Sequence, residues 1–202
     1  MYKANYIKHA LNFHVPAGTS RGVLNEKESW FIFLTDSDHP AKTGIGECSI
    51  IPGLSIDKRS DLEEKLEQSC EQINSGAHPG EIQVKDFPAI NFGLETAFID
   101  HMSGEDRVLF ETNFTNGKVG IPINGLIWMG DKRSMLDQVE TKINDGFRIL
   151  KFKVGAIDFN VELEILKSVR SSFSKSDLEI RLDANGAWDA NEAIEKLNRL
   201  ST

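Results

Sequence analysis

Short apolar runs separated by turn residues fill the first 50 residues of the chain, and this pattern predicts β-strands. The aromatic and β-branched run Trp30–Leu34 and the segment Gly44–Ile51 predict the two arms of a hairpin. The polar, glycine-bearing segment 16–22 predicts a loop between the first two strands. Helical spacing of apolar residues then predicts helices at 57–74 and 88–102. Strands followed by helices are typical of an α+β domain, which we place at residues 1–117.

After residue 117, the pattern changes to an alternation of strands and helices. The predicted elements are strands at 121–127, 148–154 and 179–184, and helices at 131–145, 158–171 and 189–200. The apolar positions expected to be buried in the last two helices are Phe159, Leu163, Leu166 and Val169, and Ala193, Ile194, Leu197 and Leu200. This spacing is typical of right-handed parallel β-α-β units over residues 118–202.

Two architectures fit three such units. One is a small open α/β domain, and the other is a (β/α) barrel of the TIM type of which only the first three βα units are present. A complete barrel needs about 250 residues. We favour the partial barrel, because a three-stranded parallel sheet by itself leaves long edges and a poorly covered core.

Charged residues occupy one face of two neighbouring predicted strands. Residues two apart in a strand share a face, so Lys151 and Lys153 point away from the apolar residues that alternate with them. Arg181, Asp183 and Asn185 form the same kind of row on the next strand. Because both rows lie at the carboxyl ends of parallel strands, where α/β active sites are built, we expect them to converge.

Each pattern taken alone has a structural explanation. Alternating lysines are typical of a solvated strand face, and Asp-x-Asn followed by glycine is typical of a turn. Their coincidence on consecutive strands favours a site. A carboxylate suits Mg²⁺, and a lysine beside a second cation gives up its proton more readily, so the pair favours proton abstraction next to a carboxylate.

Composition narrows the classes of protein that fit. The chain has 31 acidic and 23 basic residues, a formal charge of −8, which argues against a nucleic-acid partner. No apolar run approaches the roughly 18 residues that cross a bilayer, and the start has no secretory signal pattern. Two cysteines make no disulfide framework. These features predict a cytoplasmic protein without a membrane partner, and they leave a homo-oligomer open.

The sequence resembles the enolase superfamily, specifically its muconate-lactonising subgroup, over essentially its whole length. The segments that carry the resemblance are 150–155, similar to the paired-lysine second barrel strand, and 181–188, similar to the third. Within the subgroup, residues 13–24 and 29–32 are most similar to the o-succinylbenzoate synthases of menaquinone biosynthesis. The resemblance implies a capping domain followed by a barrel.

The resemblance also implies roles for individual residues. Lys153 would be the general base, Lys151 would stabilise the carboxylate and enediolate oxygens, and Asp183 would be the first Mg²⁺ ligand. Arg181 and Asn185 would support Asp183 from the same row. The loop around Ser20 and Arg21 would close over the substrate, with Arg21 near its anionic end.

The implied reaction is the Mg²⁺-dependent elimination of water from a small-molecule carboxylate, a succinyl-hydroxycyclohexadiene carboxylate, to give o-succinylbenzoate. Dipeptide epimerases and N-succinylamino acid racemases share the same lysines and remain an alternative. The superfamily takes further acidic ligands and another lysine from strands beyond the third. A second alternative is therefore an inactive fragment or interaction module, and we expect little or no activity from the 202 residues alone.

Overall fold

The structure is a computed structural model, and it describes residues 1–19, 22–104 and 106–201. The chain forms two compact units. One consists of Met1–Pro16 with Leu24–Gly120, and the other of Ala17–Val23 with Ile121–Thr202. None of the described helices is both long and apolar enough to cross a membrane.

The first unit combines an antiparallel sheet with two helices, as its sequence pattern predicts. Its elements are β1 (Tyr2–Thr19), β2 (Gly22–Asp36), β3 (His39–Ser49), α1 (Leu62–Asn74), a single 3₁₀ turn (Pro79–Glu81) and α2 (Pro88–Met102). The strand order is β1-β2-β3. The predicted hairpin is confirmed, because β2 and β3 are antiparallel and Ile32 lies opposite Gly46. Alternate residues of β2, Trp30, Ile32 and Leu34, enter the core.

Two predicted boundaries in this unit are wrong. The loop expected from residue 16 is strand as far as Thr19, where β1 ends. The first helix begins at Leu62 and not at Asp57. Asp57 is buried, and its Oδ2 accepts the N–H of Ala89 in the first turn of α2 at 2.6 Å. That carboxylate therefore caps a different helix from the one predicted to contain it.

Glycines bring β3 and α2 into very close contact. A Cβ added at Gly46 would lie 1.8 Å from the carbonyl oxygen of Gly93 and 2.7 Å from the amide nitrogen of Ala97. A Cβ at Gly44 would lie 2.1 Å from the carbonyl oxygen of Ala97. Any side chain at these strand positions would thus push the helix off the sheet.

The second unit is a parallel sheet of three strands with helices between them. Its elements are β4 (Gly125–Ile127), α3 (Lys132–Asn144), β5 (Ile149–Lys153), α4 (Phe159–Ser172), β6 (Glu179–Asp183) and α5 (Ala190–Leu200). The strand order is β4-β5-β6. Leu150 and Phe152 of β5 are fully buried, and they belong to one apolar cluster with Met135 of α3 and Ile165 of α4. The helices therefore cover the face of β5 that carries its apolar residues.

The structure corrects three predictions in this unit. The strand expected at 121–127 is limited to Gly125–Ile127, and Ile121 and Ile123 are exposed. No residue of α5 is buried, and Ile194 and Leu197 are 68% and 55% exposed, because none of the described residues covers their side of the helix.

The buried face of α4 also differs from the prediction. It contains Glu162, Ile165, Leu166 and Val169, while Phe159 and Leu163 are only partly buried. The periodicity correctly identified a helix here. The predicted buried face is rotated slightly from the observed one, because the prediction assumed that every buried position of the helix is apolar.

Candidate active site

The candidate site lies where β5 and β6 end. These strands pair in parallel with Lys153 opposite Asp183 and Lys151 opposite Arg181. Paired residues of parallel strands project to the same face, so the predicted polar rows do share a face. Leu150 and Phe152, which alternate with the two lysines in β5, are completely buried on the other side. The alternation of polar and apolar residues in the sequence therefore corresponds to the two faces of the sheet.

Both lysines of β5 converge on one carboxylate. The Nζ atom of Lys151 lies 2.8 Å from Oδ2 of Asp183, and the Nζ atom of Lys153 lies 3.1 Å from the same oxygen. The side chains of Lys153 and Asp183 are 19% and 23% exposed, and that of Lys151 is 36% exposed. This arrangement is a partly shielded ion cluster with Lys153 on its less accessible side.

Asn185 completes the contacts of Lys153. Its side-chain oxygen accepts a hydrogen bond from the Lys153 ammonium, and its backbone N–H donates to Oδ1 of Asp183 at 3.0 Å. The φ angle of Asn185 is +48°, in the left-handed region. Asparagine tolerates that region, and an aspartate often accepts the N–H two residues on, so the Asp183–Asn185 sequence forms this turn readily.

The electrostatics of the cluster favour an ionised Asp183. Hydrogen bonds from Lys151 and then Lys153, assisted by the Asn185 N–H, lower the pKa of Asp183 from 3.8 to about 2, against the opposing effect of burial. With Asp183 ionised and both lysines protonated, two positive charges face one negative charge. The surplus cation can attract an anionic ligand.

The remaining residues predicted for the site have different environments. Arg181 donates through Nε to Oε1 of Glu179 at 2.7 Å, and both side chains are about half exposed. In the described part of the chain, its ion pair is with Glu179 and not with Asp183. Ser20 and Arg21 lie outside the described residues.

The described residues supply only a partial donor set for Mg²⁺. Asp183 is a suitable oxygen ligand, but no group of three or more His, Cys, Asp or Glu side chains gathers among residues 1–19, 22–104 and 106–201. Its carboxylate is also occupied by two ammonium groups. Mg²⁺ requires near-octahedral oxygen coordination, so these residues do not by themselves make a magnesium site.

Sequence reasoning missed one polar residue close to the site. Glu162 in the first turn of α4 is only 2% exposed, and its Oε1 accepts the N–H of Gly155 at 2.6 Å. Burial raises its pKa, while the N–H groups of Gly155, Ile157 and Ala156 act in the opposite direction. Its spacing of three and four residues from Ile165 and Leu166 is the signal that could have placed it inside.

The charge of Asp183 gives a testable pH dependence. Because its pKa in the folded protein is below the ordinary value of 3.8, ionised Asp183 stabilises the fold above that value, and this contribution disappears as the pH falls toward about 2. Asp183→Asn is expected to lower the free energy of unfolding near neutral pH by about 1 kcal/mol, the scale of partly exposed ion pairs. The variant should also lose less stability in acid than the wild type.

Urea unfolding followed by circular dichroism at several pH values measures both effects. Asp137→Asn on the exposed side of α3 is the matched control and should follow the wild-type pH profile. Parallel acid profiles for the wild type and Asp183→Asn would contradict the assignment.

Comparison with known proteins agrees with this fold. Residues 134–202 match the family model of the enolase C-terminal domain-like proteins. The crystal structure of MenC from Desulfotalea psychrophila superimposes with a TM-score of 0.76 and 34% identity over 99% of this chain and 61% of that one. An o-succinylbenzoate synthase structure from Thermosynechococcus elongatus, complexed with Mg in its active site, gives 0.72 and 23% over 98% and 57%. Residues 134–202 therefore belong to the enolase C-terminal domain-like family, and the whole chain, with its N-terminal α+β cap, is similar in fold to MenC from Desulfotalea psychrophila.

Two relatives of the chain catalyse different reactions. The o-succinylbenzoate synthase of Desulfotalea psychrophila is 38% identical, in a match that covers 98% of this chain and 61% of that protein. The L-Ala-D/L-Glu epimerase of Francisella tularensis subsp. novicida is 33% identical over 56% of this chain and 32% of its own length. The chain thus spans about three fifths of the length of the synthase that it matches.

Proposed function

We propose that this chain carries the lysine side of an active site that removes the proton α to a carboxylate. In a longer protein that contains this chain and has the length of its synthase relative, called the extended protein below, the proposed reaction is the dehydration that forms o-succinylbenzoate, a step of menaquinone biosynthesis. The observation that carries the proposal is the convergence of Lys151 and Lys153 on Asp183 at the carboxyl ends of adjacent parallel strands. The synthase relative at 38% identity supports this choice of reaction.

Lys153 is the proposed base. Lys153 first releases a proton from its ammonium group to solvent, and the resulting neutral amine takes the α-proton. The C–H electron pair moves into the carboxylate as an enediolate, and the enediolate then expels hydroxide from the β-carbon. The new ammonium of Lys153 protonates that hydroxide, so one water leaves and one carbon–carbon double bond forms. The lower exposure of Lys153 and its contacts with Asp183 and Asn185 suit a group that must hold one position through both transfers.

Lys151 is proposed to remain an ammonium ion. Its position two residues before Lys153 in β5 places a second positive charge on the same face of the sheet. There it would stabilise the substrate carboxylate and the charge that develops on the enediolate oxygens. Preorganised charge of this kind is effective because the sheet fixes it before the reaction begins.

Asp183 is proposed as one ligand of a Mg²⁺ site that needs further oxygen ligands. The described residues bring no second carboxylate to it. We therefore expect the 202 residues alone to show little or no turnover.

A 1,1-proton transfer is the second candidate, and the epimerase relative at 33% identity favours it. The two reactions begin with the same proton abstraction and differ in the step after it. An epimerase returns a proton to the α-carbon without loss of water.

One assay separates the candidates. The extended protein is incubated with Mg²⁺ in D₂O, either with the succinyl-hydroxycyclohexadiene carboxylate or with L-Ala-L-Glu. We expect a strong ultraviolet absorbance change as the aromatic product forms from the first substrate. Deuterium at an α-carbon of the dipeptide without loss of water would instead establish the second candidate. If neither change is observed, both candidates are refuted.

The 202-residue chain by itself is the negative control for this assay. The same dehydration assay is run on the 202 residues. Robust Mg²⁺-dependent turnover by this shorter protein would contradict the expectation that its ligand set is incomplete.

A further inference from the structure

A buried carboxylate lies behind the candidate site in the second unit. Glu162 is 2% exposed among apolar neighbours on α4, and Oε1 accepts the backbone N–H of Gly155 at 2.6 Å. Its other oxygen, Oε2, is buried without a hydrogen-bond partner among the described residues. A carboxylate costs free energy in such a place, and an apolar residue of similar size would usually stabilise a core better. Its presence therefore calls for a role other than packing.

The group that Glu162 holds belongs to the turn after the proposed base. Gly155 comes two residues after Lys153, and its φ angle of +94° lies in the left-handed region. Between them, the N–H of Val154 donates to the backbone oxygen of Asp183 at 3.0 Å, which extends the pairing of β5 with β6 by one residue. The position of Gly155 is thus linked to both strand ends.

The same turn packs against the turn after β6. A Cβ added at Gly155 would lie 2.6 Å from Cβ of Ala187 and 3.4 Å from Nε1 of Trp188. Ala187 is two residues beyond Asn185, whose side chain contacts the ammonium of Lys153. Closely packed turns transmit a displacement, because interiors of this density have no space to absorb it.

We infer that Glu162 is a positioning residue for the lysine site. By holding the N–H of Gly155, it fixes the turn after Lys153. Through the contact between Gly155 and Ala187, it also fixes the turn that presents Asp183 and Asn185. Its catalytic consequence rests on the proposed function, whereas its effect on the two turns does not.

Three substitutions test the inference. Glu162→Leu keeps the volume and removes the acceptor, and Glu162→Gln keeps an oxygen that can accept the same N–H. Glu162→Asp keeps the charge but is one methylene shorter, so it remains informative if the leucine variant does not fold. Glu164→Leu is the matched control, because Glu164 on the same helix is 63% exposed and forms a surface ion pair with Lys132 of α3.

The first readout is amide hydrogen exchange by NMR in the 202-residue chain. Glu162→Leu and Glu162→Asp should speed exchange at residues 154–155 and at 185–187 by about tenfold, the effect of losing one hydrogen bond to a charged group. Exchange in α3 should stay unchanged. Glu162→Gln should remain within about threefold of the wild type, as should Glu164→Leu.

The second readout is steady-state kinetics of the extended protein. We expect Glu162→Leu and Glu162→Asp to lower kcat by about tenfold or more with KM nearly unchanged, because a displaced base affects the transition state more than substrate binding. Glu162→Gln should restore most of kcat.

The outcomes separate the two proposals. Faster exchange confined to residues 154–155, or equal effects of Glu162→Leu and Glu164→Leu, would overturn the positioning role. Faster exchange at both turns in a protein that shows neither proposed reaction would uphold the structural coupling and refute the proposed function. An unchanged kcat in a variant whose turns both exchange faster would refute the catalytic consequence.

Discussion

Replacing Lys153 by alanine is expected to reduce turnover of the extended protein by about 10²-fold to 10⁴-fold, the contribution of a positioned general base. The amine is the group that both accepts the α-proton and returns it to the leaving hydroxide in the proposed reaction. Folding should change little, because the Lys153 side chain lies on the polar face of β5, opposite the buried Leu150 and Phe152. Formation of aromatic product measures the rate, and circular dichroism measures the fold.

Lys167→Ala is the matched control for this variant. Lys167 is an exposed lysine on α4 in the same unit, outside the polar rows of β5 and β6, and its replacement should leave turnover within about twofold of the wild type, as for most surface substitutions. Addition of a small primary amine should partly restore the Lys153→Ala variant, because the amine can enter the space of the missing side chain. Persistence of wild-type turnover in Lys153→Ala would assign the base to another residue.

Gly46→Ala is expected to destabilise the first unit by about 3 kcal/mol, at the upper end of the usual cost of overpacking a core. The added Cβ would lie 1.8 Å from the Gly93 carbonyl oxygen, and backbone atoms cannot rotate out of the way as a side chain can. Either β3 and α2 separate or the strand is displaced. The midpoint of urea unfolding, followed by circular dichroism, measures the loss.

Gly120→Ala is the control for the general effect of adding a methyl group. No atom lies within 4 Å of a Cβ built at Gly120, so this variant should unfold at nearly the wild-type urea concentration. Equal stability of Gly46→Ala and Gly120→Ala would show that β3 and α2 do not pack through this glycine in solution.

The period of the apolar residues predicted most elements correctly. Alternation over residues 150–154 identified which residues face the core, because a strand has only two faces and Leu150, Phe152 and Val154 are all apolar. The same argument placed Lys151 and Lys153 together on the opposite face. Local pattern was sufficient here, because each strand buries a single face against helices.

The pattern was misleading where burial depends on a distant partner. Ile194 and Leu197 have the spacing of a buried helix face, yet none of the described residues covers them. Ile121 and Ile123 look like strand residues but are exposed. Apolar residues show which side of a segment could be buried. Whether that side is buried depends on whether another part of the folded chain packs against it.

The sequence by itself determined the alternating strands and helices and the grouping of Lys151 and Lys153 on one strand face, because both arise from local geometry. Only the tertiary structure decided that the two ammonium groups meet on Asp183, that Arg181 pairs with Glu179, and that Glu162 is buried behind the Gly155 turn. These contacts depend on strand register and on the packing of two turns. Both are set by residues about 30 positions apart in the chain, and the pattern of neighbouring residues in the sequence does not show which distant residues will pair.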